Sequence, residues 1–240
     1  MKVRVRRVRA IFRKELREFR RRPSIIFAMS AIPVIFLIQP LVVAFGLTAS
    51  AAGPIGHEHL LLYLLGIPAL TPVLIAAYAV VGEREQGTLE PMLTTPVRRN
   101  EFVLAKALAS LLPSVGVAYL VFAGFVACIA LFTNPAVASA VLHWPQILAQ
   151  VLFTPLIAAW TIWIGMFISA KSNDIRVSQQ LGMLASLPAV VVIALVAFNI
   201  IPATPSLALC YAAALVLFDV LGWGAVSLAF NRERLVIGTR

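Results

Sequence analysis

The side chains able to do chemistry in this chain are few, and their positions say more than their number. Ten acids and three histidines are spread over 240 residues. His57, Glu58 and His59 stand together, but this spacing does not make a zinc-protease motif and no third ligand accompanies them, so a wet loop is the reading and no metal site is assigned. Cys128 and Cys210 both lie in apolar runs, a placement that predicts small buried hydrophobes rather than a disulfide or a thiolate cluster. Gly165 to Ser172, GMFISAKS, approaches the phosphate-cradling pattern G-x-x-x-x-G-K-[ST], but it lacks the second glycine and runs out of an apolar segment. It is rejected as a nucleotide site. Nowhere do a nucleophile, a base and an orienting group come together, so no catalytic residue is assigned and the chain is not read as an enzyme.

One acid stands out. Asp219 sits near the middle of the last apolar run, where an ionised carboxylate costs roughly 2.5–3.5 kcal/mol. It is read either as a polar point on a substrate pathway or proton site, or as a hydrogen-bonded carboxyl that locks helices together where Gly222 and Gly224 permit close approach. Trp160, Trp163 and Trp223 can stack on an amphiphile, but aromatic residues in such runs also pack or anchor at interfaces.

These groups are carried by a chain that is 61% hydrophobic and 12% charged, with mean hydropathy +0.94. Soluble domains have about half their residues apolar and about a quarter charged, so a soluble fold is excluded. Six apolar stretches, about 24–47, 60–82, 107–132, 147–169, 181–200 and 206–230, each approach or exceed the roughly 20 residues a helix needs to cross the hydrocarbon core. They are continuous rather than alternating, which excludes a transmembrane barrel. The fold class is an all-α polytopic membrane protein, its six-helix domain covering residues 24–230. Lys and Arg number eleven in residues 1–23, four in 83–106, two in 170–180 and three in 231–240, which is all 20. The connections 48–59, 133–146 and 201–205 have none. By the positive-inside rule both termini, including the tail 231–240, and both basic loops face the cytoplasm of a cell-membrane protein. The net charge of +10 is thereby assigned to topology, not to nucleic acid.

Two polar segments deserve structure of their own. In residues 1–23, Val5, Val8, Phe12, Leu16 and Phe19 fall at helical spacing with Arg9, Arg13, Arg17 and Arg20 between them, and Pro23 ends the pattern. This predicts an amphipathic interfacial helix facing anionic lipid. The loop 83–106 reads EREQGTLEPMLTTPVRRNEFVLAK. Gly87 breaks the preceding helix, Thr88 caps a new one, Glu90 favours its positive end and Pro91 is tolerated in its first turn. Leu89, Met92 and Leu93 make an apolar ridge, and Thr95-Pro96 stops it. A ridge of this kind is covered either by a groove on a soluble partner or by the bilayer surface.

The string Gly87-Thr88-Leu89-Glu90, with Glu83 and Glu85 before it and Leu93, Pro96, Glu101 and Lys106 after it, resembles the loop of type-2 ATP-binding cassette transporter permeases. The stretch Gly165 to Gly182 is similar to the loop after the fourth span in the same family. Together with the six-span layout, the resemblance covers essentially the whole chain. It departs at Ala105, where many members have glycine, and in the short connection before the last span. The resemblance implies a permease subunit of an exporter that pairs with a second copy or a related permease and with two separate ATPases. Those partners, not this chain, would hold ATP and Mg. It makes the short helix a coupling helix, with Glu83, Glu85, Gly87, Thr88, Leu89, Glu90, Met92, Leu93 and Pro96 shaping the element and Glu101 and Lys106 positioning the start of the third span. An ion-coupled carrier built on Asp219 and a non-transporting membrane scaffold are the rival readings.

Overall fold

The computed structural model describes residues 4–46, 59–87 and 98–230. Six helical segments within them are long and apolar enough to cross a membrane, so the all-helical multi-pass class is borne out. Ahead of them lies an N-terminal helix, Val5–Arg21. The strip of apolar spacing forms that helix, and Arg22 leaves it in an extended conformation because a residue that precedes proline avoids helical angles. Pro23 then opens the first span, Pro23–Gly46, at the position where its missing amide hydrogen is not needed.

The second span is the centre of the bundle. In its most apolar stretch 89% of residues are buried, against 11% for the last span. It touches the first, third, fourth and fifth spans. It is also the only broken one among the described residues: a 3₁₀ segment Leu60–Leu65, an α-helix Gly66–Ala76, a 3₁₀ turn Ala77–Ala79 and a last α-helical turn Val81–Glu85. Pro68 and Pro72 lie in the α-helical part. Pro113, Pro155 and Pro188 instead sit inside helices assigned as continuous.

The third span, Arg99–Phe132, has 34 residues. At about 1.5 Å per residue it is roughly 50 Å long, well over the roughly 30 Å of a hydrocarbon core. It is therefore longer than the apolar layer is thick, and the charged residues Arg99, Glu101 and Lys106 all lie in its first two turns. The sequence reading started this span at 107, since charge hides helix from a hydropathy count. A short helix, Pro135–Val141, follows, with Val137 and Val141 one turn apart and buried against Ile129 and Phe125. The fourth span is Trp144–Lys171, the fifth Ile175–Ala197 and the last Pro205–Ala229. Asp174 caps the fifth by accepting from the amides of Arg176 and Val177 at 2.6 and 3.1 Å, and Thr204 caps the last through Leu207 at 3.2 Å.

Glycines set how closely these helices approach. A Cβ on Gly165 of the fourth span would lie 2.8 Å from Ala76 Cβ and 3.0 Å from the Val73 carbonyl oxygen, and one on Gly182 of the fifth would lie 2.6 Å from Val73 Cγ2. Val73 of the second span is thus wedged between two glycines. Gly222 of the last span likewise seats Trp163, whose Cβ is 2.7 Å from the position an added Cβ would take, whereas Gly224 faces nothing within 4 Å. Only the first of these two glycines makes the close approach expected of both. We expect Gly165→Ala and Gly222→Ala each to destabilise the detergent-solubilised protein by about 1–3 kcal/mol through overpacking. Gly224→Ala should hold or raise the melting temperature, as thermal unfolding would show.

Candidate functional site

Charge concentrates at one end of the bundle, where the N-terminal helix lies across the start of the third span. That helix and its two flanking residues, Arg4 to Arg22, carry ten basic residues but only two acids, Glu15 and Glu18. Glu15 points inward and is 4% exposed. Arg6, Arg9, Arg13, Arg17 and Arg20 are all exposed. The helix has therefore sorted its charges, with the acid on the face that meets the protein and the arginines outside.

What Glu15 meets is Lys106. This ammonium, 2% exposed, donates to Glu15 Oε1 at 2.9 Å and to Glu83 Oε1 at 3.0 Å. Glu83, on the last turn of the second span, also accepts from Lys14 Nζ at 2.6 Å. Lys14 lies 3.5 Å from Glu15 and 3.3 Å from Glu18, and Glu18 pairs with Arg22 at 2.9 Å. Three acids and three bases thus close a neutral cluster drawn from three segments. Burial by itself would lower the pKa of Lys14, but the hydrogen bond to Glu83 and the charges of Glu15, Glu83 and Glu18 outweigh it and raise the pKa above the ordinary lysine value. The carboxylates of Glu15, Glu18 and Glu83 offer oxygens within 4.8 Å of one another. The ammoniums of Lys14 and Lys106 already contact that trio, as the distances above show, so the compensating charge comes from lysine.

Beside this cluster, Glu101 accepts from the backbone amides of Arg4 at 2.9 Å and Arg98 at 3.1 Å and from Arg7 Nη1 at 3.5 Å. It is fully buried. The Arg98 contact makes Glu101 the reciprocal acid of a capping box at the start of the third span, and the Arg4 contact ties the beginning of the chain to the same carboxylate.

Glu83, Glu101 and Lys106, expected on the loop that shapes or positions a coupling element, are thus buried and engaged with the N-terminal helix. Glu85 and Gly87 are exposed. Gly87 has φ +66°, a left-handed angle that favours glycine, and it ends the second span as the sequence predicted. Thr88, Leu89, Glu90, Met92, Leu93 and Pro96 lie outside the described residues, as do His57, Glu58 and the tail 231–240. His59 Nδ1 pairs with Gln146 Nε2 at 2.8 Å.

Asp219 lies on the stripe of the last span between buried Leu215 and Val226, and its Oδ1 has no hydrogen-bond partner among the described residues. Trp160 packs on Phe218 with centroids 4.9 Å apart, and Trp163 packs edge-on against Trp223 at 5.4 Å. All three tryptophans thus serve the contact between the fourth and last spans. Gly165 to Ser172 forms the end of the fourth span, helical to Lys171, not a phosphate loop.

Sequence reasoning missed Lys14, Glu15 and Ser169. A lysine and an acid side by side among the arginines of the N-terminal segment were the visible signs of the first two. Gly165 and Ser169, small residues four apart, marked a close helix contact.

Residues 11–178, more than half of the chain, match the family profile described as ABC-2 family transporter protein. No curated protein matches the chain.

Replacing Lys106 by Met leaves the buried acids Glu15 and Glu83 with Lys14 as their one remaining cation among the described residues, and we expect a loss of about 3–5 kcal/mol. Adding Glu15→Gln and Glu83→Gln to that change should restore much of it, measured as thermal unfolding of the purified variants.

Proposed function

The chain belongs to the ABC-2 family of transporter proteins, and from that premise we propose that it is the permease subunit of an ATP-driven exporter whose ATPases are separate chains. Its charged end would then face the cytoplasm, as the distribution of lysine and arginine requires under the positive-inside rule, and the exposed arginines of the N-terminal helix would lie against anionic headgroups. Two copies, or this chain and a related permease, would enclose the pathway, with ATP and Mg held by the two partner ATPases.

The observation that carries this reading is the way residues 88–97 are flanked. Before them, Glu83 is paired with Lys106 and Lys14, and the Arg84 guanidinium donates to the Ser172 carbonyl at 2.7 Å and to Asn173 Oδ1 at 2.5 Å. After them, Glu101 is held by Arg4 and Arg98. A push on the segment from a docked ATPase would thus be delivered to the N-terminal helix and to the second, third and fourth spans at once. The apolar ridge of Leu89, Met92 and Leu93 supplies a surface suited to a groove on such a partner.

A second reading draws on the partnerless Asp219 oxygen: an ion-coupled carrier that protonates this carboxyl. It predicts flux by the chain alone in ATP-free vesicles, lost in Asp219→Asn. The exporter reading predicts none.

The direct test is a double change, Leu89→Glu with Leu93→Glu. Coexpressed with the ATPase subunit, the wild-type chain should copurify with it and the variant should lose at least about tenfold of that association, the loss of two apolar contacts of ordinary strength. Membrane insertion and melting temperature should hold. Equal copurification of both would remove the proposal.

A further inference from the structure

The break in the second span is stitched by one side chain. The 3₁₀ turn Ala77–Ala79 and the displaced Val80 (φ −117°, ψ −48°) interrupt the helical hydrogen-bond ladder. Backbone groups freed in a buried, apolar place must find partners, since no water replaces them there. They find Ser169 of the fourth span. Its hydroxyl donates to the Ala77 carbonyl at 2.6 Å and accepts from the amides of Val80 at 3.0 Å and Val81 at 3.2 Å. One donor and two lone pairs are the whole capacity of a serine hydroxyl, and all three are used. Ser169 is fully buried.

The surroundings allow the fit. Gly165, one turn earlier, brings the fourth span against Ala76 and the Val73 carbonyl, so that the short Ser169 side chain reaches a neighbouring backbone. Beyond the break the last turn, Val81–Glu85, has ties of its own: Glu83 to Lys106 and Lys14, and Arg84 to the end of the fourth span. That turn is thus joined to the rest of its span across a discontinuity, while its side chains are gripped by other segments.

We propose that Ser169 is a positioning residue: it sets Ala77–Val81 as the pivot between the apolar body of the second span and its charged last turn, and links movement of that turn to the fourth span. The inference rests on the transporter reading for what moves the turn, but the pivot itself is a property of this chain alone. A discrete break whose backbone groups are satisfied by a side chain of another helix is the kind of element that can act as a hinge.

Hydrogen exchange on the purified full chain tests the pivot. In Ser169→Ala the Val80 and Val81 amides and the turn after them should exchange about tenfold faster than in wild type, the loss of ordinary hydrogen bonds. Peptides from the third and last spans should be unchanged. Ser169→Thr, which keeps the hydroxyl, should stay close to wild type. With the ATPase present, Ser169→Ala should retain the bound partner yet move severalfold less substrate per ATP hydrolysed, with Ser169→Thr restoring the ratio, a readout that loss of stability alone would not move. If Ser169→Ala does not fold, Ser169→Cys, a weak hydrogen-bonder, takes its place. Wild-type exchange in the hydroxyl-free variant overturns the pivot. Faster exchange with an unchanged transport-to-hydrolysis ratio overturns the coupling role. A wild-type chain that recruits no ATPase overturns the transporter reading and leaves the exchange result to decide the pivot by itself.

Discussion

An ammonium shut away from water has to be compensated where it sits, and Lys106 is compensated by Glu15 and Glu83, which come from the N-terminal helix and from the end of the second span. Neither acid could be buried there alone, and neither could the lysine. The arrangement therefore exists only when three segments far apart in sequence are assembled together. It fixes the N-terminal helix by one face, and together with Glu101 it anchors the described residues on either side of the connection 88–97, Glu83 before it and Lys106 after it. Such pairs are weak evidence for stability but strong constraints on geometry, because any displacement separates charges that have little other solvation.

The second constraint acts along the axis of the bundle. The second span is the most buried helix and yet the one with a broken backbone, a combination that hydrocarbon would not tolerate and that neighbouring protein does. Gly165 and Gly182 admit Val73, Ser169 satisfies the break, and Gln179 reaches the Leu74 carbonyl at 3.4 Å. All four of these residues belong to the stretch from Gly165 to Gly182. The stretch that first drew attention as a loop-like motif thus acts from within and just beyond the fourth span, as a cradle for the second. Two of its polar side chains, Ser169 and Gln179, are spent on backbone groups of the second span.

Much of the fold was legible because its cause is local. Continuous apolar runs name the six spans, Gly87 names the end of the second, and the partition of lysine and arginine groups the connections into two sets. The periodicity of Val5, Val8, Phe12, Leu16 and Phe19 gave the N-terminal helix. Its orientation was less legible: Val8 is buried but Val5 is 75% exposed, and the strip that meets protein also contains Glu15. A periodicity argument scores acids as outward-facing, and only a partner such as Lys106 reverses that sign. The start of the third span was likewise hidden, since charged residues that continue a helix past the apolar layer look like loop to a hydropathy count.

Sequence by itself determined that this chain is a helical membrane protein with its basic residues confined to alternate connections, because burial in lipid is imposed on each segment separately by its own composition. Tertiary structure decided which charges are spent internally and which remain exposed, that Glu83, Glu101 and Lys106 turn inward, and that Ser169 completes the backbone of another helix. Those outcomes depend on what stands within about 3 Å of a polar atom, and residues 69 to 97 positions apart in the chain come within that distance only after the helices have packed.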